Sequence, residues 1–219
     1  MSMIIPTLAT ERKLLREHEM VISFDEVGRG ALAGPVCVGA VALCAPFGKM
    51  PKGLADSKVL SAAQREDLVP ALHSWVLASA VGSASAKEVD NFGILGAQAR
   101  AANRALKLIV SATGTDLGRS AALVDGNYDW LRRPLPRAQA EAFSKVVLVV
   151  RGDSSCGTLA AASVLAKVAR DAVMIALSKK WDVYGWEQNK GYGSVVHRRA
   201  LMEHGVSPQH RTSWNLGLG

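Results

Sequence analysis

The sequence has few cysteines, no long apolar run and no internal repeat. Its three cysteines, Cys37, Cys44 and Cys156, lack the C-x-x-C spacing of a zinc or redox site. Such a sparse, odd-numbered set argues against a disulfide scaffold and favours a reducing cytoplasm. No apolar segment reaches the roughly 18 residues that a membrane span requires, and residues 1–10 lack the basic and apolar regions of a secretory signal. We therefore expect a cytoplasmic protein with no membrane partner.

Acidic residues are outnumbered, with 19 Asp and Glu against 26 Lys and Arg, which gives a formal net charge of +7. A basic balance favours a polyanionic partner such as nucleic acid. Hydrophobic residues make up 49% of the 219 residues, so the chain can bury a sizeable core in one large domain. We expect it to be a monomer.

Apolar segments of the strand type alternate with segments of helical spacing. The predicted strands cover residues 21–24, 36–43, 75–85, 121–124 and 145–150. The predicted helices, the second with Ser61 as its N-cap, cover residues 7–19, 61–74, 94–110, 158–180 and 195–204. Residues 86–92 resemble a short turn or a helix start, and residues 132–136 a proline loop. This order predicts an α/β protein with a mixed sheet flanked by helices over residues 1–180, and a small helical C-terminal appendage over residues 181–219.

The sequence FDEVGRGALAGP joins the first two apolar runs. Two adjacent carboxylates, Asp25 and Glu26, end the first run, and a turn of Gly28, Arg29 and Gly30 follows. Paired carboxylates suit a divalent cation, because hard cations prefer oxygen ligands. Glycine has no Cβ, so the turn suits close approach of a large anionic ligand. The alternative is an ordinary hairpin with acidic and glycine turn residues.

Acidic residues also follow two later strands, at Asp125 and Asp153. The strands of an open α/β sheet deliver their ends to one edge, so these two carboxylates are expected to meet Asp25 and Glu26. Four carboxylates in a low dielectric repel one another unless a cation neutralises them. One or two Mg²⁺ or Mn²⁺ ions fit this need, and such ions support phosphodiester cleavage. For any one aspartate alone, the alternative is a turn or capping residue.

Further motifs follow that sequence in a fixed order. They are Asp56-Ser57-Lys58, Val124-Asp125-Gly126-Asn127, Arg151-Gly152-Asp153, AAASVLAKVARD at residues 160–171, Lys190-Gly191-Tyr192-Gly193 and Ser207-Pro208-Gln209-His210-Arg211. The series resembles that of bacterial ribonuclease HII, and the resemblance covers the chain from about Val21 onward. It implies a ribonuclease H-like fold and a metal-dependent endonuclease that cuts RNA in RNA–DNA hybrids. It also implies incision of duplex DNA on the 5′ side of embedded ribonucleotides, leaving 3′-hydroxyl and 5′-phosphate ends.

The resemblance assigns a metal site to the carboxylates. It implies that Asp25, Glu26, Asp125 and Asp153 are the catalytic residues and hold Mn²⁺ or Mg²⁺, with two ions expected when substrate is bound. Water then attacks the scissile phosphate in line. The sequence leaves open which metal is used in the cell and how many ions bind at once.

The resemblance also assigns the substrate contacts. It implies that Gly28, Arg29 and Gly30 read the ribose 2′-hydroxyl, the group that distinguishes RNA from DNA at one position. Tyr192 is expected to pack at the junction between ribonucleotide and deoxyribonucleotide. The chain departs from the family pattern at Val59 and Ser155, where family members often have lysine, so no phosphate contact is carried over to position 155.

The sister family, ribonuclease HIII, normally has a sizeable N-terminal domain. Only about two dozen residues precede Asp25, so the HII pattern fits better. In the predicted helix 158–180, Ser163, Lys167 and Asp171 lie at i, i+4 and i+8 on one face. They either support the site from behind the carboxylates or form a solvated face with a Lys–Asp pair.

The tail residues have structural and functional interpretations. His197, His204 and His210 do not have the spacing of a usual zinc site, and we expect solvated or phosphate-contacting side chains. Trp181 and Trp186 are expected to anchor the appendage to the main core, although aromatic residues can also stack on nucleic acid.

Two other classes of function remain as alternatives. One is another ribonuclease H-like nuclease, such as a type 1 ribonuclease H or a junction resolvase, which differs in whether a single ribonucleotide suffices for cutting. The other is a nucleic-acid-binding module whose affinity weakens with salt and needs no divalent metal. The clustered acids count against the second, because bare carboxylates repel phosphate. The sequence leaves open whether a sliding clamp or a polymerase recruits the protein.

Overall fold

The chain folds around a five-stranded mixed sheet. The structure, a computed structural model, describes residues 5–132 and 143–218. The strands are β1 (Met20–Val27), β2 (Val36–Leu43), β3 (Ala78–Ala84), β4 (Ser120–Asp125) and β5 (Lys145–Val149), in the spatial order β3-β2-β1-β4-β5. Strands β1, β2 and β3 pair antiparallel, whereas β1, β4 and β5 are parallel. The predicted mixed sheet and its antiparallel initial hairpin are confirmed.

Seven α-helices surround this sheet in the described part of the chain. They are α1 (Ala9–Leu14), α2 (Ala62–Trp75), α3 (Ala86–Thr113), α4 (Gly152–Ser155), α5 (Gly157–Ser178), α6 (Trp186–Asn189) and α7 (Val195–His204). The predicted helix ends agree best with the structure where a capping residue fixes them. Ser61 and Gln64 form the predicted capping box at the start of α2, and α7 covers the predicted residues 195–204 and stops at Gly205, with Ser194 as its N-cap.

Three predicted elements differ from the structure at their ends. Helix α1 stops at Leu14, well short of residue 19, because the chain turns there to enter β1. The strand predicted from residue 75 begins three residues later, because α2 continues through Trp75. Residues 86–92 begin a helix, with Ser85 and Glu88 as its capping box, and non-helical Gly93 (φ 69°, ψ 167°) separates it from the longer part of α3.

Alternation along β1 sends successive side chains to opposite faces of the sheet. Ile22 and Phe24 pack with α3, whereas Val21 packs on the other face with Leu159 of α5. On that same face, the hydroxyls of Ser23 and Thr158 share a 2.6 Å hydrogen bond. The same alternation places Asp25, two residues further on, under α5.

Helix α5 lies close across β1 and β2. A Cβ at Gly39 of β2 would lie only 2.2 Å from the carbonyl oxygen of Ala162, so glycine is what permits this approach. At the N-terminus of α5, the buried carboxylate of Glu11 accepts hydrogen bonds from the Thr158 N–H (2.9 Å) and hydroxyl (2.8 Å). Burial raises the pKa of the Glu11 carboxyl. Helix α1 therefore fixes the start of the helix that backs the site.

The residues after α5 pack against the loop between β1 and β2. Trp186 is fully buried and stacks on Tyr184 with 5.0 Å between ring centroids, in a cluster that includes Leu32 and Ala33 of that loop. Trp181 packs against the same cluster. The aromatic side chains of the tail thus have the anchoring place predicted for them, while the division of the chain at residue 180 remains a prediction.

Two remaining expectations concern the predicted proline loop and the predicted absence of a membrane span. The predicted proline loop at residues 132–136 lies outside the described residues from position 133 onward. Across residues 5–132 and 143–218, no helix has both the length and the hydropathy needed to cross a membrane.

Candidate active site

Three of the four predicted carboxylates follow directly from the strand register. Asp25 and Glu26 lie near the end of β1, and Asp125 is the last residue of the parallel neighbour β4. Phe24 pairs with Val124 across the two strands, so the carboxylates that follow them leave the same edge of the sheet. The parallel arrangement thus brings together residues that are a hundred positions apart in the sequence.

Asp153 reaches this edge in a different way from the one predicted. Strand β5 ends at Val149, one residue before the predicted end, and Asp153 lies four residues later in the short helix α4, where no helix was predicted. Arg151 adopts the left-handed conformation (φ 53°, ψ 43°), which turns the chain from strand into helix. The N–H of Gly152 then donates to the Asp125 carboxylate at 2.6 Å, which holds α4 against the end of β4.

The four acids are electrostatically coupled. The side chains of Asp25 and Asp153 are 4% and 3% exposed. Burial, followed by the charge of Glu26, raises the pKa of Asp25 well above its usual value. Burial and the charge of Asp125 raise the pKa of Glu26 to about 7, and burial and the charge of Asp153 raise the pKa of Asp125. Deprotonation of the whole set is therefore unfavourable without a neutralising cation.

Lys58 supplies the cation that approaches these acids most closely in the structure. Its ammonium donates to the Asp153 carboxylate at 2.5 Å and lies 3.8 Å from Asp56. Burial lowers the pKa of Lys58, but the hydrogen bond and charge of Asp153 outweigh it, so the pKa is raised overall. Sequence reasoning found the Asp56-Ser57-Lys58 motif but assigned no role to it, because no predicted helix or strand placed it near the acids.

Hydrogen bonds from α5 and α2 hold the lysine loop in place. The Ser163 hydroxyl lowers the pKa of the nearby Asp25 carboxyl and shares a 2.8 Å hydrogen bond with the Ser57 hydroxyl. The Arg65 guanidinium donates to the Ser57 carbonyl at 2.8 Å. One short chain of contacts thus links the Lys58 loop to Asp25.

The other two residues predicted on this face of α5 lie further from the acids. Lys167 donates to Asp171 at 2.8 Å, the i, i+4 pair that was the second interpretation. Asp171 also lies 3.8 Å from Arg65. The pair is therefore connected to the Lys58 loop through Arg65. Ser155, where the family pattern often has lysine, donates its hydroxyl to the Arg151 carbonyl at 3.3 Å.

The donor set fits a hard divalent cation. All four predicted ligands are carboxylates, which Mg²⁺ and Mn²⁺ prefer over nitrogen or sulfur. Within the described residues, no three His, Cys, Asp or Glu side chains already form a group arranged to hold an ion. Burial, and after it the mutual repulsion of the carboxylates, raises the pKa values of Asp25, Glu26 and Asp125, and a bound cation would offset both effects.

The Gly28-Arg29-Gly30 loop lies beside the carboxylates. A Cβ at Gly28 (φ 87°) would lie 2.0 Å from Nε of Arg170, so the fold itself requires glycine there. Gly30 has no such requirement: its φ is not in the left-handed region and a Cβ would meet nothing within 4 Å. The Arg29 guanidinium is largely exposed and lies 3.9 Å from the Glu26 carboxylate. An open face with no Cβ beside buried acid is suited to a ligand that comes very close to the backbone.

Tyr192 lies on the neighbouring loop with its ring 38% exposed. The guanidinium carbon of Arg170 lies 5.4 Å from the centre of the Tyr192 ring. Lys190, two residues earlier, has a positive φ of 51°, an uncommon backbone conformation for a residue with a side chain. Strain of this kind often marks a loop that is shaped for a ligand.

Two of the three tail histidines are not where we predicted them. His197 and His210 are 0% and 2% exposed, and their Nε2 atoms lie 3.0 Å apart, so the expectation of solvated or phosphate-contacting side chains is wrong for both. Burial lowers the pKa of each, that of His210 to about 4, so both are neutral near pH 7. His204 is exposed. Burial of this pair depends on tertiary contacts, and spacing in the sequence carries no signal of it.

The raised pKa of Glu26 predicts how the stability of the metal-free protein depends on pH. Between pH 4.5 and about 7 the unfolded state releases this proton before the folded state does, so stability falls as pH rises. Ionisation of Glu26 alone lowers the free energy of unfolding by about 3 kcal/mol across that pH range. At higher pH it causes no further loss. Urea unfolding in EDTA at a series of pH values measures this. Glu26→Gln should flatten the slope, and an unchanged slope in that variant would refute the assignment.

Comparison with known proteins gives a consistent result. Residues 22–216 match the family model described as Ribonuclease HII. Ribonuclease HII of Paracoccus denitrificans is 43% identical over 213 residues, covering 95% of this chain and 91% of that protein. Ribonuclease HII of Streptomyces griseus is 42% identical over 216 residues, covering 95% and 84%.

Solved structures show the same fold. Ribonuclease HII of Archaeoglobus fulgidus, solved in a complex with PCNA, superposes with a TM-score of 0.67 at 24% identity, covering 90% of this chain and 95% of that one. Bst-RNase HIII, solved in complex with Mn²⁺, gives a TM-score of 0.73 at 20% identity, covering 95% and 70%. At these identities the structures establish the architecture, which is the ribonuclease H-like mixed sheet flanked by helices.

Proposed function

This chain belongs to the ribonuclease HII family, and we propose that it incises duplex DNA on the 5′ side of single embedded ribonucleotides. Family membership makes it a type 2 ribonuclease H, a metal-dependent endoribonuclease that acts on the RNA of RNA–DNA hybrids. The observation that carries the finer proposal is the uncovered backbone at Gly30, four residues after Glu26, where a Cβ would meet nothing within 4 Å and a ribose can approach the main chain.

We propose that Asp25, Glu26, Asp125 and Asp153 hold Mn²⁺ or Mg²⁺, with two ions when substrate is bound. The ions supply an activated water and stabilise the leaving oxygen, which yields 3′-hydroxyl and 5′-phosphate ends. The protein's own part is to keep the carboxylates buried and coupled. Lys58 occupies Oδ2 of Asp153, so an ion that binds this oxygen would displace the ammonium and make it available to the phosphate backbone.

The ribose is read by the loop of Gly28, Arg29 and Gly30 in this proposal. The 2′-hydroxyl both donates and accepts, so backbone groups of an uncovered loop can recognise it directly. Arg29, exposed and 3.9 Å from Glu26, is placed to reach a phosphate next to the acids. Ser163 supports the site by lowering the pKa of Asp25, while Lys167 and Asp171 are connected to it through Arg65.

Tyr192 is proposed to pack at the junction between ribonucleotide and deoxyribonucleotide. Stacking on a base or sugar is a property of the ring, so Tyr192→Ala should lower kcat/KM on the single-ribonucleotide duplex by about tenfold. Tyr192→Phe should change it less than about threefold, because it keeps the ring. Steady-state incision rates for both variants decide this. Equal losses in the two variants would assign the effect to the hydroxyl.

The proposal is tested with a labelled DNA duplex that contains one ribonucleotide. We expect incision by the folded protein with Mn²⁺ or Mg²⁺, and no incision of the all-DNA duplex of the same sequence. A type 1 ribonuclease H, the main rival, reads longer RNA runs and leaves the single ribonucleotide uncut. A binding module without nuclease activity shifts the duplex in a gel and cuts neither. Either outcome contradicts the proposal.

We also propose that the protein works as a monomer in the cytoplasm on nucleic acid. Its sparse, unpaired cysteines, Cys37, Cys44 and Cys156, fit a reducing compartment. The Archaeoglobus fulgidus relative was solved with PCNA, which makes a sliding clamp the protein partner to test first. Size-exclusion chromatography with and without a purified clamp measures both the oligomeric state and this association.

A further inference from the structure

Two arginines are fully buried beside the substrate loops. Arg170 of α5 and Arg211 of the tail are both 0% exposed. The ion pairs found among the described residues include neither of them. Burial of a charge without a carboxylate partner is costly, so the groups that surround these side chains must compensate for it.

Backbone carbonyls of the ribose-reading loop surround Arg211. Its Nη2 donates to the carbonyl of Gly28 at 2.7 Å and to that of Gly34 at 3.1 Å. Its Nη1 donates to the carbonyl of Arg29 at 2.8 Å. The planar guanidinium thus holds the two ends of the Gly28–Gly34 turn in one fixed relation. Burial and the charge of Arg170 lower the pKa of Arg211 to about 10, so it stays protonated at neutral pH.

Arg170 connects that turn to the loop of Tyr192. Its Nε donates to the carbonyl of Pro35 at 2.8 Å, and its Nη1 donates to the carbonyl of Lys190 at 2.9 Å. A backbone hydrogen bond also joins the two loops, since the N–H of Leu32 donates to the Gly191 carbonyl at 2.8 Å. The two substrate loops, residues 28–35 and residues 190–193, are therefore joined by side chains and by main chain.

The buried histidine pair extends this network to the tail. His197 donates through Nδ1 to the Tyr192 carbonyl at 2.9 Å, which leaves its Nε2 as an acceptor. That atom accepts from Trp186 at 3.1 Å and from Nε2 of His210 at 3.0 Å. His210 in turn accepts at Nδ1 from the N–H of Ser207 at 2.9 Å. Each ring thus has one defined tautomer. Together the two rings hold the turn from Ser207 to Arg211 in place.

We propose that Arg211 and Arg170 are positioning residues that hold the ribose-reading loop and the Tyr192 loop as one rigid unit. Neither side chain faces the substrate; each sets where the carbonyls and N–H groups of the loops lie. The inference rests on the proposed function, because a rigid pair of loops affects activity in this way only if the protein recognises a single ribonucleotide. A single ribonucleotide offers one register in which ribose and scissile phosphate both fit. A long hybrid offers a 2′-hydroxyl at every position, so it tolerates a displaced loop better.

The test uses Arg211→Lys in the full chain. Lysine keeps the charge but lacks the fork that spans several carbonyls. We expect kcat/KM on the single-ribonucleotide duplex to fall about tenfold relative to that on a long RNA–DNA hybrid. Amide hydrogen exchange should become faster in residues 28–35 and stay unchanged in β4 and β5. Arg119→Lys is the control, since Arg119 pairs with Glu19 directly before the starts of β4 and β1, at the ends of these strands opposite the carboxylates.

The outcomes separate positioning from general stability. A structural role alone lowers activity on both substrates equally, so a substrate ratio within twofold of wild type overturns the inference. If the unaltered protein does not cut the single-ribonucleotide duplex, the proposed function fails. Hydrogen exchange then still decides the inference: faster exchange in residues 28–35 supports it, and unchanged exchange overturns it. If Arg211→Lys does not fold, Arg170→Lys takes its place, with faster exchange expected in residues 190–193.

Discussion

Asp153→Asn is expected to reduce the rate of hybrid cleavage by more than about 100-fold while leaving duplex binding nearly intact. Loss of residues that only support metal ligands commonly costs 10- to 100-fold, so loss of a ligand charge should exceed about 100-fold. Binding depends on the wider basic surface and on the substrate loops, which this substitution does not touch. Single-turnover cleavage rates and fluorescence anisotropy in EDTA measure the two quantities separately.

The same substitution should make the metal-free protein no less stable. Asp153 raises the pKa of Asp125 by its charge, so its neutralisation relieves repulsion, although the ion pair with Lys58 is lost. Asp67→Asn is the matched control, because Asp67 is exposed on α2, away from the acids. Wild-type cleavage by well-folded Asp153→Asn protein would remove Asp153 from the metal site.

Alanine substitutions at the two loop glycines should separate folding from activity. Gly30→Ala is expected to leave the free energy of unfolding within about 1 kcal/mol of wild type, since a Cβ there meets nothing and φ is ordinary. Its incision of the single-ribonucleotide duplex should fall by about 100-fold, because a methyl group displaces the ribose from the position it needs. Thermal unfolding and kcat/KM on the same preparation provide both numbers.

Gly28→Ala is the contrasting control. Its Cβ would lie 2.0 Å from Nε of Arg170 and φ is 87°, so the protein itself should lose about 1–3 kcal/mol of stability along with activity. If Gly30→Ala cuts the single-ribonucleotide duplex at the wild-type rate, no substrate group approaches that backbone closely. The ribose would then have to be read elsewhere.

Much of the fold was predictable because local signals agreed with the tertiary structure. The hairpin of β1 and β2 follows from two apolar runs around a glycine turn, and the end of α7 follows from Gly205. The acids at Asp25 and Asp125 follow from the parallel sheet, whose strands end at a common edge. In each case the deciding signal lies in the element itself or next to it in the sequence.

The features that were missed depend on contacts between distant residues. Nothing in Arg151-Gly152-Asp153 indicates that Asp153 lies in a short helix, because the start of that helix is held by a hydrogen bond from Gly152 to Asp125 of another strand. Lys58 reaches Asp153 only because Ser163 and Arg65 hold its loop. The burial of His197 and His210 likewise depends on Trp186 and Ser207, which share no periodic pattern with them.

The most direct test of the account is the position and chemistry of the cut in a duplex that contains one ribonucleotide. We predict a single incision on the 5′ side of the ribonucleotide, with a 3′-hydroxyl that a DNA polymerase can extend and a 5′-phosphate on the ribonucleotide. The incision should require Mn²⁺ or Mg²⁺ and disappear in EDTA. Incision that persists in EDTA, incision on the 3′ side, or intact duplex after incubation with folded, metal-loaded protein would contradict the account.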